Sequence, residues 1–328
     1  MKRRDFIKLL GGTAAAWPLI ARAQQMTRMR RIGALMDFSE YDPQSTIGTS
    51  AFEHGLEERG WKLGTNLQIK YRWANYPNLL LKFAHELVAL APDVILAVGG
   101  SSASALQEVT RTIPVVFMEI SDPVNRRLIT SMERPGGNFT GLIEFQPGIG
   151  RKWLELLKQI APAVTRVAVI QDPSRFAWRN LLTSIEKAAS TSSVKVSPVD
   201  ARDGVKMERM ITTFASSPNG GLMVTPNTFS VLMRDRIIAL AARHKLPAIY
   251  FNQLFVTDGG LASYAPDTSD QYRRAAGYID RILKGEKPAD MSIQAPTKFE
   301  FVINLKAAQT IGLNIPAGVL AVADRVIK

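Results

Sequence analysis

The stretch Val94-Ile-Leu-Ala-Val-Gly-Gly-Ser-Ser-Ala-Ser-Ala-Leu106 determines the fold class of this chain. Its first five residues are all apolar and rich in β-branched side chains, which predicts a buried strand over Val94–Val98. Two glycines then allow a tight turn, and Ala105, Leu106 and Val109 fall on one side of a following helix. A buried strand that turns directly into a helix is typical of an α/β protein with a parallel sheet.

The same alternation of strands and helices continues along the chain. Apolar residues recur at intervals of three and four over Trp153–Ile160 and Tyr272–Leu283, which predicts two amphipathic helices with core-facing stripes. We therefore predict an α/β fold with doubly wound parallel sheets. The predicted strands are Ile32–Met36, Leu67–Tyr71, Val94–Val98, Val115–Met118, Val167–Ile170, Leu222–Val224 and Ala248–Tyr250.

Two strands end in the same dipeptide, Asp122-Pro123 and Asp172-Pro173, which indicates two similar lobes. Turn-forming residues over 134–141 lead into Leu142–Phe145 and mark a first crossing between the lobes, and 258–264 marks a second. We expect a signal peptide over 1–23, lobe 1 over 24–142 and about 265–290, and lobe 2 over 143–264. The lobe to which 291–328 belongs is left open.

The first 23 residues have the pattern of an export signal. Basic residues at 2–4 precede an apolar stretch over 9–21, which is shorter than the roughly 20 residues that a membrane-spanning helix needs. Ala21-Arg22-Ala23 is a small-x-small cleavage pattern, and the paired arginines resemble a twin-arginine export motif. We expect cleavage after Ala23 and a periplasmic location. The alternative, an amphipathic first helix, is disfavoured by two glycines and a proline inside this region.

The composition restricts the partners of the protein. The 328-residue chain has no cysteine, so it forms no disulfide and carries no bacterial lipid anchor. Its net charge is +12, but the basic residues are scattered and do not alternate with aromatic residues, so we expect no nucleic-acid partner. We expect a free periplasmic monomer that binds a small molecule.

Motifs for catalysis are incomplete. Gly99-Gly100-Ser101-Ser102-Ala103 approaches the G-x-S-x-G motif of a nucleophile elbow, but alanine replaces the last glycine and only His244 follows as a candidate base. The three histidines are far apart and cysteine ligands are missing, so we predict no metal site, and no nucleotide-binding motif or other cofactor signal is present. The sequence favours a binding protein over an enzyme, with a secreted serine hydrolase as the alternative.

Polar and aromatic side chains follow the predicted strands. Ligands of parallel sheets bind outside the carboxyl ends of the strands, and this mixture of side chains suits a small polar ligand with an apolar or aromatic part. The alternative is that the polar residues cap helices and turns and that the aromatic residues pack beneath their loops. The candidate ligand-binding residues are Asp37, Phe38, Tyr41, Ser101, Ser102, Glu119, Asp122, Asp172, Phe176, Asn227, Tyr250 and Asn252.

Ser101 and Ser102 have a more specific prediction. The glycines before them place both serines at the N-terminus of a helix, where unpaired backbone N–H groups and the helix dipole attract anions. We hypothesise that a carboxylate of the ligand binds there. The alternative is that one serine only caps the helix.

Several longer stretches together identify a family. They are Arg59–Asn66, Ile69–Ala74, Leu87–Ala97, Arg134–Asn138, Lys152–Leu157 and Pro296–Leu305. With these stretches the chain resembles the ABC-transporter substrate-binding proteins whose better understood relatives bind tryptophan and other aromatic amino acids. The resemblance extends from about Arg31 to the C-terminus.

The resemblance implies a type I periplasmic-binding-protein fold, in which a hinge joins two α/β lobes that close on a ligand between them. It also implies that the ligand is passed to a membrane permease of an ABC importer. Many relatives are lipoproteins, and this chain departs from them because it lacks the required cysteine. The expected function is a periplasmic solute receptor for a small molecule such as an amino acid or an aromatic acid. The alternative within the same fold is a periplasmic ligand sensor for a signalling protein.

Overall fold

The computed structural model describes residues 28–328 except Asn75, Pro147 and Arg175. The side chains of residues 43, 44, 77, 176–179 and 228 are also outside the description. The predicted signal peptide, residues 1–23, lies outside the described residues.

The described chain alternates strands and helices almost throughout. In chain order the elements are β1 (Arg30–Met36), α1 (Pro43–Glu57), β2 (Leu67–Trp73), α2 (Pro77–Ala89), β3 (Val94–Val98), α3 (Gly100–Val109), β4 (Val115–Ile120), β5 (Phe139–Ile143), α4 (Ile149–Ile160), β6 (Arg166–Gln171), α5 (Phe176–Thr191), β7 (Lys195–Asp200), α6 (Gly204–Ala215), β8 (Gly220–Val224), α7 (Thr228–Leu232), α8 (Arg234–Arg243), β9 (Ala248–Tyr250), α9 (Gln253–Thr257), β10 (Ala262–Pro266), α10 (Thr268–Leu283), β11 (Phe299–Asn304), α11 (Leu305–Ile311), α12 (Ala317–Ala321) and β12 (Arg325–Ile327). A short 3-10 helix, Pro288–Asp290, lies between α10 and β11.

The chain divides into two compact units. Among the described residues, unit 1 contains 28–119, 128–142 and 272–293, and unit 2 contains 120–127, 143–271 and 294–328. The C-terminal part of the chain, which the sequence leaves unassigned, is therefore divided after residue 293.

Unit 1 is built on a five-stranded sheet with the order β2-β1-β3-β4-β5. Strand β1 pairs in parallel with β2 and β3, and β3 pairs in parallel with β4. Helices α1 and α10 pack closely in this unit because α1 carries glycines at the contact. A Cβ atom added to Gly48 would lie 2.5 Å from the ring of Tyr272, and one added to Gly55 would lie 3.1 Å from Ala276.

Unit 2 is built on a seven-stranded sheet with the order β12-β11-β10-β9-β8-β6-β7. Pairing is parallel from β7 through β10, antiparallel between β10 and β11, and parallel again between β11 and β12. Helix α4 buries the predicted apolar stripe, and Trp153 Nε1 donates a hydrogen bond of 2.7 Å to the backbone oxygen of Tyr264.

The structure confirms the predicted α/β class and all seven predicted strands, each of which lies within an observed strand. The sequence missed β5, β7, β10, β11 and β12. Strand β7 is at an edge of its sheet, is only partly buried and contains Pro198, so it lacks the apolar run that marks the central strands. Within the described residues, no helix has both the length and the apolar character needed to cross a membrane.

Candidate ligand-binding site

Three strand ends of unit 1 are aligned by the sheet register. Met36 is opposite Val98, and Val98 is opposite Met118. The backbone N–H of Asp37 donates to Val98 O at 3.3 Å, and that of Gly99 donates to Met118 O at 3.0 Å. Asp37, Gly99 and Glu119 therefore lie at one level across three neighbouring strands, so the backbones of the two acids are about 10 Å apart.

Gly99 makes room for the Asp37 side chain. A Cβ atom at this glycine would lie 2.0 Å from Asp37 Oδ1, and the glycine has a φ of 89°. The Asp37 carboxylate therefore lies directly over the residue that precedes α3. A carboxylate in this position is favoured by the positive end of the helix dipole.

Both predicted serines lie in the first turn of α3, as the sequence predicts. The N-cap residue is Gly99, so neither serine occupies the capping position. Ser102 is fully buried, and its hydroxyl has no hydrogen-bond partner among the described residues. An unpaired buried hydroxyl costs about 1–3 kcal/mol, which a ligand that bonds to it would offset.

An aromatic group lies beside these strand ends in unit 1. Trp73 stacks on Tyr71 with ring centroids 5.7 Å apart, and Phe38 lies 6.0 Å from Trp73. Tyr71 is held in place because its hydroxyl donates to Glu53 Oε1 at 2.8 Å. Burial, together with the charge and hydrogen bond of Glu53, raises the pKa of Tyr71. All three rings are half-buried and offer an apolar surface.

The sequence analysis named Phe38 but missed Tyr71 and Trp73. The two residues occupy alternate positions of β2 and therefore lie on the same face of the strand. In the sequence of β2, Gln68 and Lys70 are polar and exposed, whereas Tyr71 and Trp73 are aromatic and lie on one face. This pattern could have predicted an aromatic surface.

Tyr272 is a further polar group that the sequence assigned only to a core stripe. Its side chain is 1% exposed, and its hydroxyl has no hydrogen-bond partner among the described residues. Burial raises the pKa of Tyr272 well above its usual value, and the charges of Glu119 and Asp37 raise it further. Tyr272 packs in the same buried cluster as Met36, Val98 and Met118, at the ends of β1, β3 and β4, and thus lies next to the strand-end residues of unit 1.

The predicted residues of unit 2 lie at or near the carboxyl ends of β6, β8 and β9. Asp172 is buried and accepts hydrogen bonds from Ser174 N at 3.0 Å and Ser174 Oγ at 2.6 Å. Asn227 caps α7 by accepting from Ser230 N, and Asn252 caps α9 by accepting from Leu254 N. These contacts correspond to the capping alternative that the sequence left open.

The remaining predicted residues have separate surroundings. Tyr250 is buried in unit 2 with its ring 4.8 Å from that of Phe255. Asp122 accepts hydrogen bonds from Asn125 in a turn, and Tyr41 is 90% exposed on unit 1. The side chain of Phe176 is outside the described residues. The structure therefore brings together Asp37, Phe38, Ser101, Ser102 and Glu119 in unit 1.

Comparison with known proteins identifies the family. Residues 41–327 match the family of ABC transporter substrate binding proteins. The chain belongs to this family. The members of this family are binding proteins, and they act outside the cytoplasm. The predicted type I periplasmic-binding-protein fold is confirmed by the solved structures that the chain resembles.

Individual relatives are moderately similar in sequence. A tyrosine-binding protein of Clostridioides difficile strain R20291 is 26% identical over 266 residues, which cover 80% of this chain and 75% of the relative. A conserved domain protein from Vibrio cholerae has a TM-score of 0.83 at 26% identity, and an ABC domain from Streptococcus pneumonia in complex with L-Trp has a TM-score of 0.83 at 25% identity. Both matches cover 91% of this chain and 100% of the solved chain.

Proposed function

We propose that this chain is the periplasmic receptor of an ABC importer for an aromatic amino acid. One observation carries the proposal: in unit 1, an aromatic group lies beside a helix N-terminus with an unpaired, buried hydroxyl. The relatives named for tyrosine and solved with L-Trp support the same class of ligand.

In the proposed complex, each part of the ligand meets a matching part of unit 1. The ligand carboxylate accepts hydrogen bonds from backbone N–H groups of the first turn of α3 and from the hydroxyls of Ser101 and Ser102. The aromatic side chain of the ligand packs on Phe38 and Trp73. Offset or edge-to-face aromatic pairs contribute about 0.5–1.5 kcal/mol beyond the burial of their area.

Delivery to the importer requires export, for which we propose the twin-arginine pathway followed by cleavage after Ala23. The support is the sequence of the first 23 residues, in which Arg3 and Arg4 precede the apolar stretch. Replacing both arginines by lysine keeps the charge but removes the guanidinium groups. We expect the uncleaved precursor to remain in the cytoplasm of cells that make this double variant, and normal periplasmic mature protein would contradict the proposal.

A thermal-shift screen of residues 24–328 tests the ligand class. L-tryptophan, L-tyrosine and L-phenylalanine are compared with L-alanine and L-lysine at equal concentration. A ligand at 100 times its dissociation constant stabilises the folded protein by about 2.7 kcal/mol. We expect at least one aromatic amino acid to raise the melting temperature while L-alanine leaves it unchanged. A shift with L-lysine or L-alanine and none with the aromatic amino acids would contradict the proposal.

A further inference from the structure

The Tyr272 hydroxyl is not explained by the packing of the fold. The ring packs closely against Gly48, because two of its carbon atoms lie 2.5 Å from the position that a Cβ atom on that glycine would take. The phenol oxygen is nevertheless buried without a hydrogen-bond partner among the described residues. Most buried hydroxyls in proteins are paired, so this oxygen is available to a partner from outside the chain, such as a water or a ligand group.

The surroundings of this hydroxyl are negative. Tyr272 packs in one buried cluster with Met36 and Met118, the residues directly before Asp37 and Glu119. The charges of Glu119 and Asp37 also raise the pKa of its hydroxyl. Glu119 and Asp37 flank Gly99 at one level of the sheet, and the Asp37 carboxylate lies over that glycine. A phenol oxygen can accept as well as donate a hydrogen bond, and with two carboxylates nearby a positively charged donor is favoured as its partner.

We propose that Tyr272, Asp37 and Glu119 form a subsite for an ammonium group of the ligand. The ligand is then a zwitterionic α-amino acid, which excludes an aromatic acid that lacks the amine. This inference rests on the proposed function and deepens it, because it assigns the residues that hold the ammonium group of the proposed amino acid.

The position of the subsite suits a zwitterion. The ammonium and carboxylate groups of an α-amino acid are attached to the same carbon, so their subsites must be adjacent. Asp37 lies against Gly99, the N-cap residue of α3, and the ligand carboxylate is proposed to bind beside it, at Ser101 and Ser102 of the first turn. In this arrangement the ammonium group donates to the Tyr272 oxygen and to the carboxylates of Asp37 and Glu119.

Three small molecules test the contributions of the ammonium and carboxylate groups separately. Titration calorimetry is carried out on residues 24–328 with L-tryptophan, with indole-3-propionate, which lacks the ammonium group, and with tryptamine, which lacks the carboxylate. The variants are Tyr272→Phe and Glu119→Gln. The matched control for the tyrosine is Tyr278→Phe on the same helix, whose hydroxyl donates to Ser292 O. The control for the acid is Glu108→Gln at an exposed position of α3.

We expect the wild-type protein to bind L-tryptophan at least 10-fold more tightly than indole-3-propionate. A hydrogen bond to a charged group corresponds to about 10- to 150-fold in affinity, so each site variant should weaken L-tryptophan binding by at least 10-fold. The affinity for indole-3-propionate should stay the same or rise, and both control variants should bind L-tryptophan like the wild type. Tyr272→Phe should melt at or above the wild-type temperature, since it removes an unpaired buried hydroxyl.

Two results would overturn the inference while leaving the proposed function intact. One is wild-type protein that binds L-tryptophan and indole-3-propionate equally well. The other is folded Tyr272→Phe and Glu119→Gln protein with wild-type affinity for L-tryptophan. Wild-type protein that binds no aromatic amino acid at all would refute the proposed function, and the inference with it.

Discussion

Gly99 shows how one residue connects the fold of unit 1 to its candidate site. It continues β3 into α3, it has a φ of 89°, and it leaves room for the Asp37 carboxylate. An alanine here would meet both a backbone conformation that side chains disfavour and a contact of 2.0 Å with Asp37.

We expect Gly99→Ala to lower the free energy of unfolding and to weaken L-tryptophan binding. The matched control is Gly60→Ala, because Gly60 has a φ of 90° and nothing within 4 Å of its added Cβ atom. The free energy of unfolding of the control should fall by only about 1–2 kcal/mol, which is the cost of the disfavoured backbone conformation. Its affinity for L-tryptophan should not change. Denaturant unfolding and calorimetry measure both quantities. Equal losses of stability and unchanged affinity in both variants would show that the contact with Asp37 is unimportant.

The sequence predicted some residues of the candidate site and missed others for physical reasons. It placed Ser101 and Ser102 on the first turn of α3 because glycines after an apolar run mark a strand-turn-helix junction. It treated Tyr272 as part of the core because helical spacing shows which face is buried, whereas a missing partner for the hydroxyl appears only in three dimensions. Asn227 and Asn252 follow strands as the prediction requires, yet they also cap helices, which the sequence could not distinguish from ligand binding.

At the scale of elements, α1 and α10 of unit 1 hold Tyr272 in place through small residues. In the interior of a helix, alanine is normally more stable than glycine by about 1 kcal/mol. Gly48→Ala should nevertheless lower the melting temperature, since the new Cβ atom would lie 2.5 Å from the Tyr272 ring. It should also weaken L-tryptophan binding by displacing that ring.

Gly277 of α10 provides the control for this prediction. A Cβ atom added there would lie 3.5 Å or more from the Arg59 side chain, which is an ordinary contact. Gly277→Ala should therefore keep or raise the melting temperature and bind L-tryptophan normally. A Gly48→Ala protein that is as stable and as tight-binding as Gly277→Ala would contradict the proposed role of the α1–α10 contact.

The central strands were predictable and the edges of the sheets were not. Continuous apolar runs such as Val94–Val98 are buried on both faces and stand out in the sequence. Strands β7 and β12 are at the edges of the unit 2 sheet and are partly exposed, so their side chains resemble those of loops. The aromatic residues of β2 were missed for a similar reason, because charged residues alternate with them.

At the scale of the whole molecule, family membership and the strand-end cluster of unit 1 support the same function. The chain is a substrate-binding protein of the ABC transporter family over nearly its full length. The family alone does not specify which atoms hold the ligand, and we propose that they lie at the carboxyl ends of β1, β3 and β4 in unit 1.

Amide hydrogen exchange of residues 24–328 tests that assignment most directly. The protein is measured alone, with saturating L-tryptophan, and with L-alanine at the same concentration as a control. We expect L-tryptophan, and not L-alanine, to slow exchange in peptides that contain Phe38, Gly100–Ser102 and Glu119. Bound L-tryptophan with unchanged exchange in all three segments would contradict the account.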